Sequence, residues 1–281
     1  MYKLIDGKKI AASIRADLSK KIAEYKGATS REIGLAVVLV GQNPASQIYV
    51  RNKIKACEEV GIKSFAYFLS EQATQRELDD LILSLAEDDK INGILVQLPL
   101  PLHLSDRALA LIPESKDVDG FSANNIGKLC LNSESTVACT PFGVMKMLEY
   151  ENIDIKGKHA VVVGRSNIVG RPMAMLLLNA DATVTVCHSK TKNLKEMCLQ
   201  ADILVSAIGK PKFITADMIK EGAVVIDVGM NRDEDGKLCG DVDFENAKEK
   251  CSHITPVPGG VGPMTITMLM YNTYFAAVRR G

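Results

Sequence analysis

Tyr49 and Lys53 stand four residues apart in "NPASQIYVRNKIKACEEVG", residues 43 to 61. Asn43 can N-cap this stretch, Pro44 can start it and Gly61 can stop it, so it reads as a helix with the phenol and the amine on one face. A tyrosine hydroxyl beside an amine can share a proton network, and a lysine that loses its water can exchange protons near neutrality. Taken alone the two read as an ordinary solvated pair, because such couples are common on helix surfaces. Two further segments offer polar groups suited to a ligand. "VQLPLP", 96 to 101, sets Gln97 at the carboxyl end of a strand, where open α/β sheets bind ligands, with two prolines stiffening the exit. Gln97 there can hold a water or a polar ring. "KDVDGF", 116 to 121, is a tight turn with two carboxylates. It is either an Asx-type turn or a place where Asp119 pairs with the amino group and ring nitrogen of a heterocycle.

A second kind of chemistry is signalled by "VVVGRSNIVGRP", 161 to 172, a strand running through a glycine-marked turn into a helix, as dinucleotide-binding folds do at a pyrophosphate. The usual Gly-x-Gly-x-x-Gly is replaced by Gly164, then Arg165 and Ser166, with no further glycine until Gly170. The next strand ends in "VCHSK", 186 to 190, without the carboxylate that would take the ribose hydroxyls of NAD. Arg165 and Ser189 together form a pocket for the 2′-phosphate of NADP in one reading; an arginine turned to solvent or to a neighbouring carboxylate is the alternative. His188 reads as a flanking residue. "TPVPGGVGPMT", 255 to 265, joins the last strand to the last helix, and its glycines let backbone approach a ligand closely, unless it is only an interdomain turn.

These residues need a frame. After a helix from Asp6 to about Tyr25, short β-branched runs ("GLAVVLV", "KSFAYF", "INGILVQ") alternate with helical segments. The second half repeats the rhythm with "KHAVVVG", "ATVTVC", "DILVSAIG" and "AVVIDVG". Continuous apolar runs of this length are strands of doubly covered parallel sheets, so the fold class is α/β with two α/β domains, the second of Rossmann type. The expected boundaries are 1–139, completed by a returning C-terminal helix over 264–281, and 140–263, with a ligand cleft between the two. Thr140 is expected to N-cap the connecting helix, with Pro141 at its first position. Lysine plus arginine equals aspartate plus glutamate at 34 each, so no global field draws the chain to nucleic acid or to an anionic membrane. No run of 18 apolar residues and no signal-peptide core are present, which reads as cytoplasmic. The seven cysteines are scattered, without Cys-x-x-Cys pairs or histidines at ligand spacing, so neither disulfide nor metal is expected.

In this order and at these separations, "YVRNK", "VQLPLP", "DVDGF", "CTPFGV", "VVVGRSNIVGRPM", "CHSKT" and "PVPGGVGPMT" resemble the bifunctional methylenetetrahydrofolate dehydrogenase/methenyltetrahydrofolate cyclohydrolase family over essentially the whole chain. The resemblance implies oxidation of 5,10-methylenetetrahydrofolate with NADP, then hydrolysis to 10-formyltetrahydrofolate. It also implies a homodimer and a place in one-carbon metabolism and purine biosynthesis. Position by position it implies that Lys53 transfers the proton, Tyr49 stacks on the folate, Gln97 tunes the lysine and Asp119 grips the pterin. Leu98, Pro258, Gly259, Gly260 and Pro263 would line the folate. Gly164, Arg165, Ser166, Ile168, Val169, Gly170, His188, Ser189, Ala207, Ile208, Gly209, Gly229 and Thr265 would line NADP. Two positions depart from the family's habit: Ala138, where a proline is common, and Asn167, where a lysine often stands. They bear on loop stiffness and cofactor affinity. The competing readings are a dehydrogenase without hydrolysis, an NADP oxidoreductase of the shikimate dehydrogenase kind, and a non-catalytic binder of NADP or folate.

Overall fold

In the computed structural model, which describes residues 2–280, the β-branched runs pair in parallel within two main sheets. Each sheet belongs to its own compact unit of the chain. Residues 13–139 and 266–281 form one unit around strands Lys63–Leu69, Gly34–Val40 and Gly93–Val96, in that order across the sheet. All seven residues of the central strand are buried, as an unbroken apolar run flanked on both sides demands. Lys63–Leu69 departs from the doubly covered expectation: it has one neighbour, and its residues are exposed or half-buried. At the opposite edge an isolated parallel bridge from Ile94 to Asp117 carries the pairing on, and so fixes the "KDVDGF" turn against the sheet.

The helix over Pro44–Val60 has the ends its sequence calls for. Asn43 Oδ1 accepts the Ser46 N–H at 3.2 Å. At the other end Gly61 takes φ +87°, and Cys57 O accepts the N–H groups of both Gly61 and Ile62. The helix Gln75–Glu87 opens with a capping box between Thr74 and Glu77 and closes on a buried cation, since Lys116 Nζ donates to Leu85 O (3.0 Å) and Asp88 O (2.8 Å).

Residues 1–12 and 140–265 form the second unit. The six strands of its main sheet are all parallel, in the order Lys3–Leu4, His253–Ile254, Val224–Asp227, Ile203–Ser206, His159–Val163 and Thr183–Cys187. Residues 1–12 therefore leave the domain expected for them. Lys3 and Leu4 pair with His253 and Ile254, and Gly7 lies so close to Gly260 O that an added Cβ would stand 1.8 Å from it. Two other expectations shift. Thr140 is inside the helix Cys139–Tyr150 rather than capping it, and its hydroxyl is bonded to Thr265 Oγ1 at 2.9 Å. The last helix starts at Val261, not 264, so the loop before it ends at Gly260. The unit boundaries at 12/13 and 265/266 fall within the helices Gly7–Thr29 and Val261–Arg280. Among the described residues no helix is long and apolar enough to cross a membrane.

Candidate functional site

In the unit built on residues 13–139, three of the singled-out side chains come together. Lys53 Nζ donates to Gln97 Oε1 at 2.9 Å, and Gln97 Nε2 in turn donates to Leu98 O at 2.6 Å, which fixes the amide's orientation. Burial pulls the Lys53 ammonium down from the usual lysine value, while Asp119, Cys139 and Cys57 oppose the shift by favouring the charged form. Burial also pushes the Asp119 carboxyl up to about 6, with Lys53 holding it down and Asp117 raising it further. As whole residues Lys53 and Asp119 keep intermediate exposure. Tyr49, one helical turn before Lys53, is 37% exposed.

Of the two readings of "KDVDGF", the structure shows the Asx-type turn. Asp117 is the turn-former: its carboxylate accepts the N–H groups of Gly120 (2.9 Å), Phe121 (3.2 Å) and Ser122 (2.8 Å) and Asn125 Nδ2 (2.9 Å). That leaves Asp119 to face Lys53. The segment is also pinned from the last helix, where Asn272 Nδ2 donates to Val118 O and Val137 O, both at 2.9 Å. Gly120, at φ +71°, is packed so that an added Cβ would lie 2.7 Å from Ala138 N. Sequence reasoning assigned no role to Asp117, Cys139 or Asn272. A lone asparagine in the apolar run "MLMYNTYF" was the one available signal, since buried amides demand partners.

The dinucleotide-type turn lies in the other unit. Gly164, at φ +128°, donates its N–H to Cys187 O, and an added Cβ would stand 2.3 Å from Ala207 O. At Gly170 a Cβ would stand 2.2 Å from Gly164 O. Between these two glycines Ser166 braces the turn: its hydroxyl accepts the Val169 N–H at 3.2 Å and its carbonyl accepts the Arg171 N–H at 3.0 Å. Ile168 is exposed on the same turn. Arg165 is exposed and forms no ion pair among the described residues, so of the alternative reading the carboxylate partner is not seen and the solvent-facing arginine stays open. His188 Nδ1 accepts the Lys190 N–H at 3.1 Å and its own N–H goes to Thr191 Oγ1, a closed turn on which Ser189 is exposed. Ala207, Ile208 and Gly209 follow strand Ile203–Ser206, and Gly229 follows Val224–Asp227, so all four sit at carboxyl ends of parallel strands.

Pro258, Gly259 and Gly260 form the turn before the last helix, where Gly259 O accepts the Lys8 N–H at 3.2 Å. Pro263 and Thr265 belong to the first turns of that helix. Among the described residues no group of three His, Cys, Asp or Glu side chains could hold a metal. All seven cysteines are free thiols, six of them buried.

A family profile described as tetrahydrofolate dehydrogenase/cyclohydrolase, catalytic domain, matches residues 5–119, and one described as its NAD(P)-binding domain matches residues 138–281. The bifunctional protein FolD of Campylobacter concisus is 59% identical over 276 residues, 98% of this chain and 97% of the relative. The crystal structure of the bifunctional enzyme FolD, methylenetetrahydrofolate dehydrogenase/cyclohydrolase, from Campylobacter jejuni superposes with a TM-score of 0.98 at 54% identity, covering 100% of both chains. The Trypanosoma brucei dehydrogenase-cyclohydrolase, complexed with NADP cofactor and inhibitor, does so with a TM-score of 0.95 at 39% identity, over 99% of this chain and 98% of that one.

Proposed function

The chain belongs to the tetrahydrofolate dehydrogenase/cyclohydrolase family, and we propose from its own residues how it carries out that family's two reactions. It oxidises 5,10-methylenetetrahydrofolate to the methenyl form with NADP and hydrolyses that product to 10-formyltetrahydrofolate. Bound NADP supplies the hydride acceptor, a transfer that needs closeness and alignment and no side-chain acid or base. The glycine-lined turn at Gly164 and Gly170, where no Cβ fits, and the unpaired Arg165 suit a dinucleotide phosphate. We place Ser166, Ile168, Val169, His188, Ala207, Ile208, Gly209, Gly229 and Thr265 along the same ligand.

Hydrolysis asks more of the protein. Water attacks the electron-poor methenyl carbon, its proton must leave as the C–O bond forms, and one C–N bond then breaks. Lys53 takes that proton. A primary amine whose pKa burial lowers and whose Nζ Gln97 holds at 2.9 Å is the observation that carries the reading. Tyr49 stacks on the folate, and the Asp119 carboxylate accepts hydrogen bonds from the pterin's amino group and ring N–H. Leu98, Pro258, Gly259, Gly260 and Pro263 contribute backbone contacts.

Arg165 and Ser189 are assigned to the 2′-phosphate. Arg165→Ala is expected to raise the Michaelis constant for NADP by about one to two orders of magnitude, the consequence of losing a charge-assisted hydrogen bond of about 1.5 to 3 kcal/mol, and to leave NAD use nearly unchanged. Steady-state kinetics with both nucleotides decide it: an equal loss with each would put Arg165 on the pyrophosphate instead.

The partner of the chain is a second copy of itself. Strand Lys63–Leu69 leaves one edge without a neighbour and exposes Phe68 to 63%, and a flat apolar edge of this kind is a template for pairing. Phe68→Glu is expected to convert dimers to monomers in sedimentation equilibrium; a variant that stays dimeric would refute this interface. The unpaired thiols support a reducing, cytoplasmic setting.

A further inference from the structure

The cofactor-side turns are tied together by two buried carboxylates that neither reaction uses. Asp241, 0% exposed, accepts four hydrogen bonds: from Ser206 Oγ (3.1 Å), the Ile208 N–H (2.8 Å), the Lys210 N–H (2.9 Å) and Asn231 Nδ2 (2.9 Å). Its own N–H donates to Asp227 Oδ1 at 2.9 Å, an oxygen that also accepts the Gly229 N–H, while Asp227 Oδ2 accepts the Val242 N–H. One network therefore spans the ends of strands Ile203–Ser206 and Val224–Asp227 and the segment 240–242. The backbone makes room for it. A Cβ at Gly229 would lie 2.2 Å from Asp241 Oδ1, and one at Gly240 would lie 1.9 Å from Asp227 Oδ2.

Neither carboxylate forms an ion pair among the described residues, and burial pushes the Asp227 carboxyl up to about 7. Buried charge without a counter-ion is expensive, and here it is offset by the four donors that converge on Asp241 and the three on Asp227. What a carboxylate offers is several convergent acceptor sites, able to fix two separate turns at once. The turn at 206–210 leaves Ala207 O against Gly164, on the proposed pyrophosphate loop.

We propose that Asp241, supported by Asp227, is a positioning residue for NADP, setting the 207–210 and 229–231 turns in the shape that receives the dinucleotide. This inference rests on the assignment of those turns to the cofactor. Its consequence differs from that of Arg165, because the turns hold parts shared by NADP and NAD.

The test is Asp241→Asn, which keeps the side chain's size but turns an NH2 toward a backbone N–H. Michaelis constants for NADP and for NAD are expected to rise together by about tenfold or more, the equivalent of about 1.4 kcal/mol. Hydrolysis of supplied methenyltetrahydrofolate is expected to stay within about twofold of the unaltered protein. A purely structural role would lower both activities in parallel with the melting temperature, and that result would overturn the proposal. So would unchanged nucleotide constants in the folded variant. If Asp241→Asn fails to fold, Ser206→Ala removes a single donor, and a rise in both nucleotide constants with hydrolysis intact is then the supporting result; constants equal to those of the unaltered protein are the opposing one. Arg165→Ala, measured alongside, separates the two levels. Altered NADP preference there with nothing at Asp241→Asn defeats this inference alone, whereas no effect in either variant defeats the cofactor assignment as well.

Discussion

Lys53→Met is expected to abolish hydrolysis and to spare at least part of the dehydrogenase. The two steps differ in what they ask of a side chain: hydride transfer needs none to move a proton, whereas the attacking water must lose one. Removing a positioned general base typically costs about a hundred- to ten-thousandfold, so supplied methenyltetrahydrofolate should persist in the presence of the variant. Methionine preserves length and apolar contact along the stem while deleting Nζ, and with it the 2.9 Å bond to Gln97. Because burial lowers the lysine's pKa, the hydrolytic rate rises with pH along a limb lying below that of an ordinary lysine, as the amine loses its proton. The folded variant hydrolysing at the normal rate would remove Lys53 from the chemistry.

Asp119→Ala is expected to damage both reactions together. Both depend on the same grip on the pterin, and losing one buried charged partner costs about 2 to 5 kcal/mol of binding, so folate affinity should fall steeply while NADP affinity stays nearly intact. A pH dependence follows from the carboxyl at about 6. The ionised form accepts the pterin's N–H groups, so the Michaelis constant for folates rises as pH falls through about 6, and Asp119→Asn flattens that dependence. The stability effect runs the opposite way to that of a salt-bridged carboxylate. A folded-state pKa above the ordinary one means that the native state holds its proton longer, so stability attributable to Asp119 is lost as pH rises from the usual carboxylate range to about 6. Unchanged folate affinity in Asp119→Ala would count decisively against the assignment.

What could be read from the chain was what is encoded locally. The helix carrying Tyr49 and Lys53 was legible because Asn43, Pro44 and Gly61 each specify an end. The strands were legible because unbroken β-branched runs have few other uses. The early start of the last helix at Val261 was hidden, since "PGGVGP" reads as loop, although a proline in the first turn gives up an N–H that had no helical acceptor anyway. Residues 1–12 were misplaced because a two-residue strand has no periodicity, and its partner lies some 250 residues away. The division of labour between Asp117 and Asp119 needed the three backbone N–H groups that close on Asp117. Asp241 was unreadable for the same reason. Its donors come from Ser206, Ile208, Lys210 and Asn231, and no local pattern announces a contact across 35 residues.

The most direct test of one chain performing both steps follows methenyltetrahydrofolate by its absorbance after the purified protein is mixed with 5,10-methylenetetrahydrofolate, with NADP or NAD. With NADP the methenyl signal is predicted to rise and then decay to 10-formyltetrahydrofolate faster than in buffer without protein, and Lys53→Met to show the rise without the accelerated decay. A signal that never appears with NADP, or that decays no faster with the unaltered protein than in buffer, would contradict the account.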